Sequence, residues 1–379
     1  MIRQDSPSSA SPHSGPTALI ACGGTGGHLF PGLALADALA GENIGTLLAI
    51  SSKAVDHSVA ASRPDLRFET LAVRPWPGVR PAAAPFFFRF ASTWLRVSRL
   101  LRRESIAAVI GMGGFTSLIP VWVGRRRGLP TFLHDSNAIP GRANRITARH
   151  TDTVFLGMEA AVAHFPGSRT RVVGTPVRPG LAASLDAAAA RASLGLAPDK
   201  PVLLVIGGSQ GAASLNRAAL HLATSGPRPW QILLLTGEAD GETMRRAANH
   251  PDAPLVALPF CHDMATAYAA SSLVLARAGA STLAELSLVG LPALLVPYPH
   301  AADDHQTANA RVFERAGAAV VVPEPELDAE KLASLAVSIL GDPDRRSAMA
   351  AAARALAVPD AAARVRDAVL TALTRKAAA

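Results

Sequence analysis

Three short apolar segments each run straight into a cluster of glycines. They are Thr17 to Cys22 before GGTGGH (Gly23 to His28), Ala107 to Ile110 before GMGGF (Gly111 to Phe115), and Pro201 to Ile206 before GGSQGA (Gly207 to Ala212). Glycines between a strand and a helix start let the backbone approach a phosphate, whose charge meets N–H groups and the positive end of the helix dipole. One such loop is equally well a tight turn of any α/β protein, but three in one chain favour phosphate chemistry. None fits G-x-G-x-x-G, none is followed at about 20 residues by a clear ribose-binding acid at a strand end, and no GxxxxGK[ST] occurs. Dinucleotide oxidoreductases and P-loop NTPases therefore lose ground, and a nucleoside diphosphate carrying another group stays open. His28, at the mouth of the first loop, is a candidate base, because neutral imidazole accepts a proton near pH 7.

The elements that must position these loops follow from the same segments. Strands without alternation are buried on both faces, as in parallel sheets flanked by helices, so the chain reads as α/β. The first and third junctions each open one half of a doubly wound pattern, which predicts two Rossmann-like domains. A chain of 379 residues has the length for two cores. The boundary is expected in Gly174-Thr175-Pro176-Val177-Arg178-Pro179-Gly180, where prolines and glycines interrupt both patterns. This gives a disordered tail over 1–16, a first domain over 17–175 and a second over 176–379. Ala182 to Leu194 reads as a helix, and Arg345 to Ala379 as one or two terminal helices, the last able to pack back on the first domain. Two cysteines, Cys22 and Cys261, make no disulfide framework and no zinc cluster, and the first sixteen residues lack the apolar core of a signal peptide. A reducing, cytoplasmic setting is expected.

The formal charge of +8 is concentrated. From Thr70 to Thr151 there are thirteen arginines, no lysine and only Glu104 and Asp135 as acids, a net +11 that leaves −3 for the rest. Within it, Phe87, Phe90, Trp94 and Leu101 fall at helical spacing, interleaved with Arg89, Arg96, Arg99 and Arg103, and Arg125 to Arg127 form a second basic loop. An aromatic stripe edged with guanidinium groups can lie on an anionic bilayer, with segment 86–103 as the contact. The alternative is a core-facing helix with a solvated basic face. A nucleic-acid partner, suggested by the pI of about 10.4, is not expected, because the basic stretch carries no nucleic-acid module.

Read together, the segments GGTGGHLFPGLALADAL (23 to 39), GMGGFTSLIP (111 to 120), HDSNAIPGRANR (134 to 145), GTPVR (174 to 178), GGSQGA (207 to 212), ARAGASTLAEL (276 to 286) and PYPHAADDHQTANA (297 to 310) resemble glycosyltransferase family 28. The resemblance implies the GT-B fold of two Rossmann-like domains facing across a cleft with C-terminal helices. It also implies inverting transfer of N-acetylglucosamine from UDP to the C4 hydroxyl of the muramoyl sugar of an undecaprenyl-pyrophosphoryl acceptor, lipid I, on the cytoplasmic face of the membrane. Another UDP-sugar-dependent lipid glycosyltransferase, or a UDP-N-acetylglucosamine 2-epimerase, is the alternative on the same scaffold.

By that resemblance Thr25, Gly26 and Gly27 cradle acceptor phosphate or the donor sugar, and Asn137 belongs to the substrate site. Ser209 and Arg178 approach the diphosphate, the backbone at Cys261 reads the uracil, and Glu285 accepts from the ribose hydroxyls. The helix start Ala280, Ser281, Thr282, Leu283 and Ala284 lines the donor, and Gln306 and Asn309 hold the sugar hydroxyls. The residue types alone also allow an N-cap for Ser209 and solvated surface positions for Arg178 and Glu285. His28 is the first choice for the base, Asp135 the second, and His134 is expected to orient the acceptor. Where the family commonly has His-Glu-Gln-Asn, this chain has His134-Asp135-Ser136-Asn137, which shortens the acid's reach and removes an amide. No cofactor is implied, and no DxD metal site, the one D-x-D being Asp342-Pro343-Asp344.

Overall fold

The computed structural model describes residues 15–71, 83–181, 183, 185–208, 211–224, 228–237, 255–261 and 263–378, with backbone only over 83–89. The part of the expected tail over 1–14, the side chain of Phe87, and Ser209 lie outside the described residues.

Two parallel sheets organise the chain. The first is built from β1 (Thr17–Ala21), β2 (Gly45–Ile50), β3 (Arg67–Thr70), β4 (Ile106–Gly111), β5 (Thr131–Asp135), β6 (Thr153–Leu156) and β7 (Thr170–Val172), in the order β3-β2-β1-β4-β5-β6-β7. The second holds β8 (Val202–Ile206), β9 (Gln231–Leu235), β10 (Leu255–Leu258), β11 (Leu273–Ala276), β12 (Ala293–Leu295) and β13 (Ala319–Val321), ordered β10-β9-β8-β11-β12-β13. Neighbouring strands are parallel throughout, and every residue of β2, β5, β8 and β9 is buried, as unalternating apolar runs require. In each sheet the order reverses beside the first strand, between β1 and β4 and between β8 and β11. Loops leaving such a pair diverge to opposite faces and open a crevice at the strands' carboxyl ends. The first two glycine clusters leave β1 and β4; the third leaves β8, and Arg277 to Gly279 leave β11.

The chain divides into two compact units, one of residues 1–136, 140–178 and 360–379, the other of 137–139 and 179–359. The core of the first unit is made by Ile20, Leu29, Leu35, Leu48 and Ile110, into which the terminal helix Ala361–Ala377 sets Val365 and Val369. Gly32 brings the helix Gly26–Ala40 close to β1, since a Cβ there would stand 2.5 Å from that of Cys22. In the second unit Leu203, Val205, Ile232, Leu234 and Leu275 meet Trp230, Leu222 and Ile339. The alanine-rich end forms two helices, Pro343–Ala355 and Ala361–Ala377. The break precedes Pro359, which supplies no N–H and disfavours helix at Val358. The helix expected from Ala182 is shorter: it runs Ala187–Ser193, because Asp186 accepts from Ala189 N–H and caps it there.

His134 corrects another expectation. Its ring is fully buried at the end of β5, Nε2 lies 2.8 Å from the Gly174 carbonyl, and Nδ1 faces the Ser136 hydroxyl at 3.4 Å. It is an internal tie between β5 and the segment that follows β7, with no face toward an acceptor. Burial pushes its pKa down to about 4, against the opposing hydrogen bond to Gly174, so the ring is neutral with Nε2–H donating. The unfolded chain takes up this proton near pH 6.5 and the folded chain near 4. Above pH 6.5 the residue is therefore silent, and as pH falls through that window it favours unfolding by up to about 3 kcal/mol. In protein carrying ring-labelled histidine, the His134 signal should stay that of a neutral ring at pH 5.5; a protonated ring there would contradict this assignment.

Candidate active site

The first two glycine loops meet around His28. Thr25 precedes the helix Gly26–Ala40 in an extended conformation, and its hydroxyl lies 3.1 Å from His28 Nδ1. On its other side the imidazole rests against the second loop. A Cβ on Gly113 would lie 2.9 Å from His28 Cδ2 and 3.0 Å from Nε2, and one on Gly114 would lie 3.1 Å from Cε1. Both glycines have left-handed φ, at 109° and 72°, so side chains are excluded there by conformation as well as by space. Thr25 and Gly27 are exposed, His28 half-buried and Gly26 buried.

The second loop is in turn fixed from β5. Gly114 N–H donates to Asn144 Oδ1 at 2.9 Å, and Asn144 Nδ2 donates to Asp135 Oδ2 at 2.6 Å. Both side chains are buried, Asp135 to 1% exposure, so Asp135 reaches His28's surroundings through Asn144 and not by facing solvent. Ser117 closes the turn, accepting from Gly113 N–H at 3.0 Å, and Thr116 Oγ1 donates to the Gly23 carbonyl of the first loop at 2.8 Å. The first loop is also held from beyond β2. The buried Asp56 accepts the Gly24 N–H, and Lys53 Nζ donates to the Gly24 carbonyl at 2.6 Å. Arg178 belongs to this unit, its guanidinium 4.8 Å from the centre of the Phe30 ring.

In the second unit the helix Ala280–Val289 starts at Gly279 and makes its first bond from Leu283 N–H to the Gly279 carbonyl, so the N–H groups of Ala280, Ser281 and Thr282 form its leading turn. Ala280 and Leu283 are buried, which makes Leu283 a core residue and not a lining one; its N–H is used within the helix. Ser281, Thr282, Ala284 and Glu285 are half-buried. The carboxylate of Glu285 is aimed by the buried Tyr268, whose hydroxyl donates to Oε2 at 2.7 Å. Cys261 is half-buried and its Sγ donates to the Asp263 carbonyl at 3.1 Å. Gln306, at the start of the helix His305–Arg315, accepts from Tyr298 N–H at 2.9 Å.

Asn309 departs from the expectation. It is fully buried, its Oδ1 accepts from Ala138 N–H at 2.8 Å, and its Nδ2 donates to Asn137 Oδ1 and the Ala278 carbonyl, both at 3.1 Å. Its amide is spent on three internal partners, so it supports Asn137 and the turn after β11 instead of meeting sugar hydroxyls. Two left-handed residues, Asp303 at φ 52° and Asp304 at φ 50°, precede its helix, a conformation that costs of order 1–3 kcal/mol per residue.

Sequence reasoning missed a cluster centred on Arg277. Its guanidinium donates to Ser214 Oγ at 3.0 Å, to the Val296 and Pro297 carbonyls at 3.2 and 3.3 Å, and to the Glu324 carboxylate. It also stands 5.4 Å from the centre of the Tyr298 ring. One side chain thus ties together the loop ends of β8, β11, β12 and β13. Burial alone would raise the Glu324 pKa, but hydrogen bonds from Arg277 and Ser214 and the charges of Arg277 and Arg217 outweigh it and hold the carboxylate ionised.

The basic segment folds as the helix Ala83–Arg103. Val97, Leu100 and Leu101 are core, and Phe90 and Trp94 pack against that core, so the stripe of aromatics is in part an inward face. Rings continue outward from Phe90 to Trp122 at 6.2 Å and from Trp122 to His150 at 4.6 Å. Burial and then the charges of Arg126, Arg149 and Arg125 hold the His150 pKa down. Leu95, on the same helix, and Ile146, on the helix Arg142–Ala148, are 53% and 47% exposed. Among the described residues no helix is long and apolar enough to cross a membrane.

The model of the glycosyltransferase family 28 N-terminal domain matches residues 18–156, and that of the C-terminal domain matches residues 202–365. The chain is 37% identical, over 94% of its length and 98% of the relative's, to the UDP-N-acetylglucosamine–N-acetylmuramyl-(pentapeptide) pyrophosphoryl-undecaprenol N-acetylglucosamine transferase of Solidesulfovibrio magneticus. The chain belongs to glycosyltransferase family 28. Among solved structures this family 28 chain is similar to Acinetobacter baumannii MurG, with a TM-score of 0.74, 28% identity, and coverage of 94% of this chain and 99% of that one. It is also similar to CalG4, the calicheamicin glycosyltransferase, with a TM-score of 0.65 at 16% identity over 96% of this chain and 99% of that one, a likeness of fold alone. The fold is that of the GT-B glycosyltransferases, and the chain is a glycosyltransferase.

Proposed function

We propose that this family 28 chain transfers N-acetylglucosamine from UDP-N-acetylglucosamine to the C4 hydroxyl of the N-acetylmuramoyl sugar of lipid I, giving lipid II for peptidoglycan synthesis. The relative from Solidesulfovibrio magneticus, whose printed name states this donor and acceptor, is matched over nearly the full length of both chains. The first unit, to which the terminal helix Ala361–Ala377 belongs, takes the acceptor, and the second takes the UDP-sugar.

The observation that carries the chemistry is the setting of His28 between the Thr25 hydroxyl and Gly113-Gly114 at the switch point of the first sheet. In the tautomer with Nδ1–H donating to Thr25 Oγ1, Nε2 carries the basic lone pair the step requires. In the proposed step the acceptor O4 attacks the anomeric carbon from the side opposite UDP, and His28 takes the hydroxyl proton. The bond from the anomeric carbon to the diphosphate breaks with inversion, and UDP leaves with the pair. Ser209, the leading turn at Ala280 to Thr282, and Arg178 supply donors and charge for the departing diphosphate without a DxD-bound metal. Glu285, aimed by Tyr268, accepts from the ribose, the backbone at Cys261 reads the uracil, and Gln306 meets the sugar. Asp135, buried behind Asn144, is the second choice for the base.

The chain acts at the cytoplasmic face of the membrane as a peripheral protein. Arg99, Arg102, Arg126, Arg127 and Arg149 are exposed, the charges of Arg126 and Arg149 reach His150, and with the exposed Leu95 and Ile146 they suit a surface of anionic phosphates over hydrocarbon. The paired replacement Leu95→Asp and Ile146→Asp should at least halve co-sedimentation with vesicles containing phosphatidylglycerol while leaving transfer to a short-chain acceptor intact. Undiminished sedimentation would place the contact elsewhere.

The function itself is tested by incubating purified protein with radiolabelled UDP-N-acetylglucosamine, with and without lipid I. Label should move to the lipid only when acceptor is present; formation of the manno epimer from donor alone would identify a 2-epimerase instead. His28→Ala should lower kcat by about 10²–10⁴ with donor KM little changed. A change confined to KM would make His28 a binding group.

A further inference from the structure

The residues between β2 and the helix Ala54–Ala61 bear on the site although no glycine motif marks them. Asp56 is fully buried on the first turn of that helix, and one of its oxygens, Oδ2, collects three donors: Gly24 N–H at 2.8 Å, Ser51 N–H at 2.9 Å and Ser51 Oγ–H at 2.6 Å. Its Oδ1 makes no hydrogen bond. A buried carboxylate with half of its accepting capacity unused is costly where only packing is needed, and an apolar side chain would serve that purpose better. The three donors show what the carboxylate is positioned against.

Gly24 is the residue at which the first loop turns. Its φ is 110°, and space around a notional Cβ is open, so nothing but its own hydrogen bonds holds the peptide on that side. Asp56 takes the N–H, and Lys53 Nζ, three residues earlier on the same turn, takes the carbonyl. The preceding residue is held as well: Thr116 donates to the Gly23 carbonyl, and a Cβ on Gly23 would stand 2.1 Å from Ser51 N. Immediately after Gly24 come the extended Thr25 and the helix start that carries His28.

We propose that Asp56 is a positioning residue for the proposed reaction, its buried carboxylate fixing the Gly24 peptide so that Thr25 and His28 are presented in register against Gly113 and Gly114. Lys53 is the second half of the clamp. The inference rests on the transferase reading for its kinetic consequence, but the geometric claim stands apart from it. Asp56 touches no reacting atom; it acts through Gly24.

The experiment uses the full chain in three variants, Asp56→Ala, Asp56→Asn and Asp56→Glu, with kinetics, UDP affinity by calorimetry, and the ring signals of labelled histidine. Asp56→Ala should reduce kcat at least tenfold, change the UDP dissociation constant less than twofold and shift the His28 ring signals. Asp56→Asn, which still offers an oxygen to Gly24, should recover most of both. If Asp56→Ala does not fold, Asp56→Glu serves, since a longer arm displaces the peptide while keeping the charge; it should show the same split between turnover and UDP affinity. Wild-type turnover with unmoved His28 signals in folded Asp56→Ala, or in Asp56→Glu, overturns the proposal. So does a loss of turnover that Asp56→Asn does not relieve. If wild-type protein transfers no sugar, the functional reading fails and the His28 signals alone decide the positioning claim: shifted in Asp56→Ala and restored in Asp56→Asn supports it, unmoved refutes it.

Discussion

The absence of a side chain at Gly113 is the constraint on which the first unit's chemistry depends. The His28 ring lies where a Cβ would stand 2.9 Å away, and the φ of 109° belongs to the left-handed region that glycine enters without penalty. Around that contact the chain spends buried polar groups freely: Asp135 and Asn144 on one loop, Asp56 and Ser51 on the other, and Thr116 between them. Each is costly to bury, and together they end on the Gly24 and Gly114 N–H groups and the Gly23 carbonyl. A parallel sheet makes this possible, because all its loops of one polarity emerge at one edge and the reversal between β1 and β4 parts them to opposite faces.

The second unit solves a similar problem with charge instead of ring packing. Arg277 follows β11 directly, and its two terminal nitrogens reach Ser214, two carbonyls after β12 and Glu324 after β13, so a single planar group holds four loop ends. Tyr268 aims Glu285 from the neighbouring helix Met264–Ala270, and Asn309 braces Asn137 and Ala278. Glu285 and Asn137 thus each rest on a buried residue behind them, Tyr268 and Asn309. This division between facing and bracing residues is the common feature of both units.

The strands and glycine junctions were legible in the sequence because both signals are local: an unalternating apolar run, then residues with no side chain. The family resemblance rested on those junctions together with HDSNAIPGRANR, GTPVR, ARAGASTLAEL and PYPHAADDHQTANA. What sequence left unread is long-range. Asn309 stands three residues after Gln306 on one helix, yet one is closed off by Ala138 and Ala278 and the other lies at the helix start, a difference that only tertiary contacts create. His134 enters the expectation through the resemblance of HDSNAIPGRANR, but successive strand residues point to opposite faces and its ring is turned into the interior. Asp56 and Glu324 carried no motif at all, since their partners, Gly24 and Arg277, are distant in the chain. The Ala182 to Leu194 expectation overran because alanine propensity extends through a point where Asp186 caps the helix.

The central claim, that turnover depends on His28 being seated against a side-chain-free loop, is tested most directly by kcat of Gly113→Ala beside its affinity for UDP and its unfolding midpoint. The added methyl has no place to go without moving the imidazole. The account predicts a folded protein with UDP affinity near wild type and kcat reduced by at least tenfold. Turnover equal to wild type in a folded Gly113→Ala protein would contradict it.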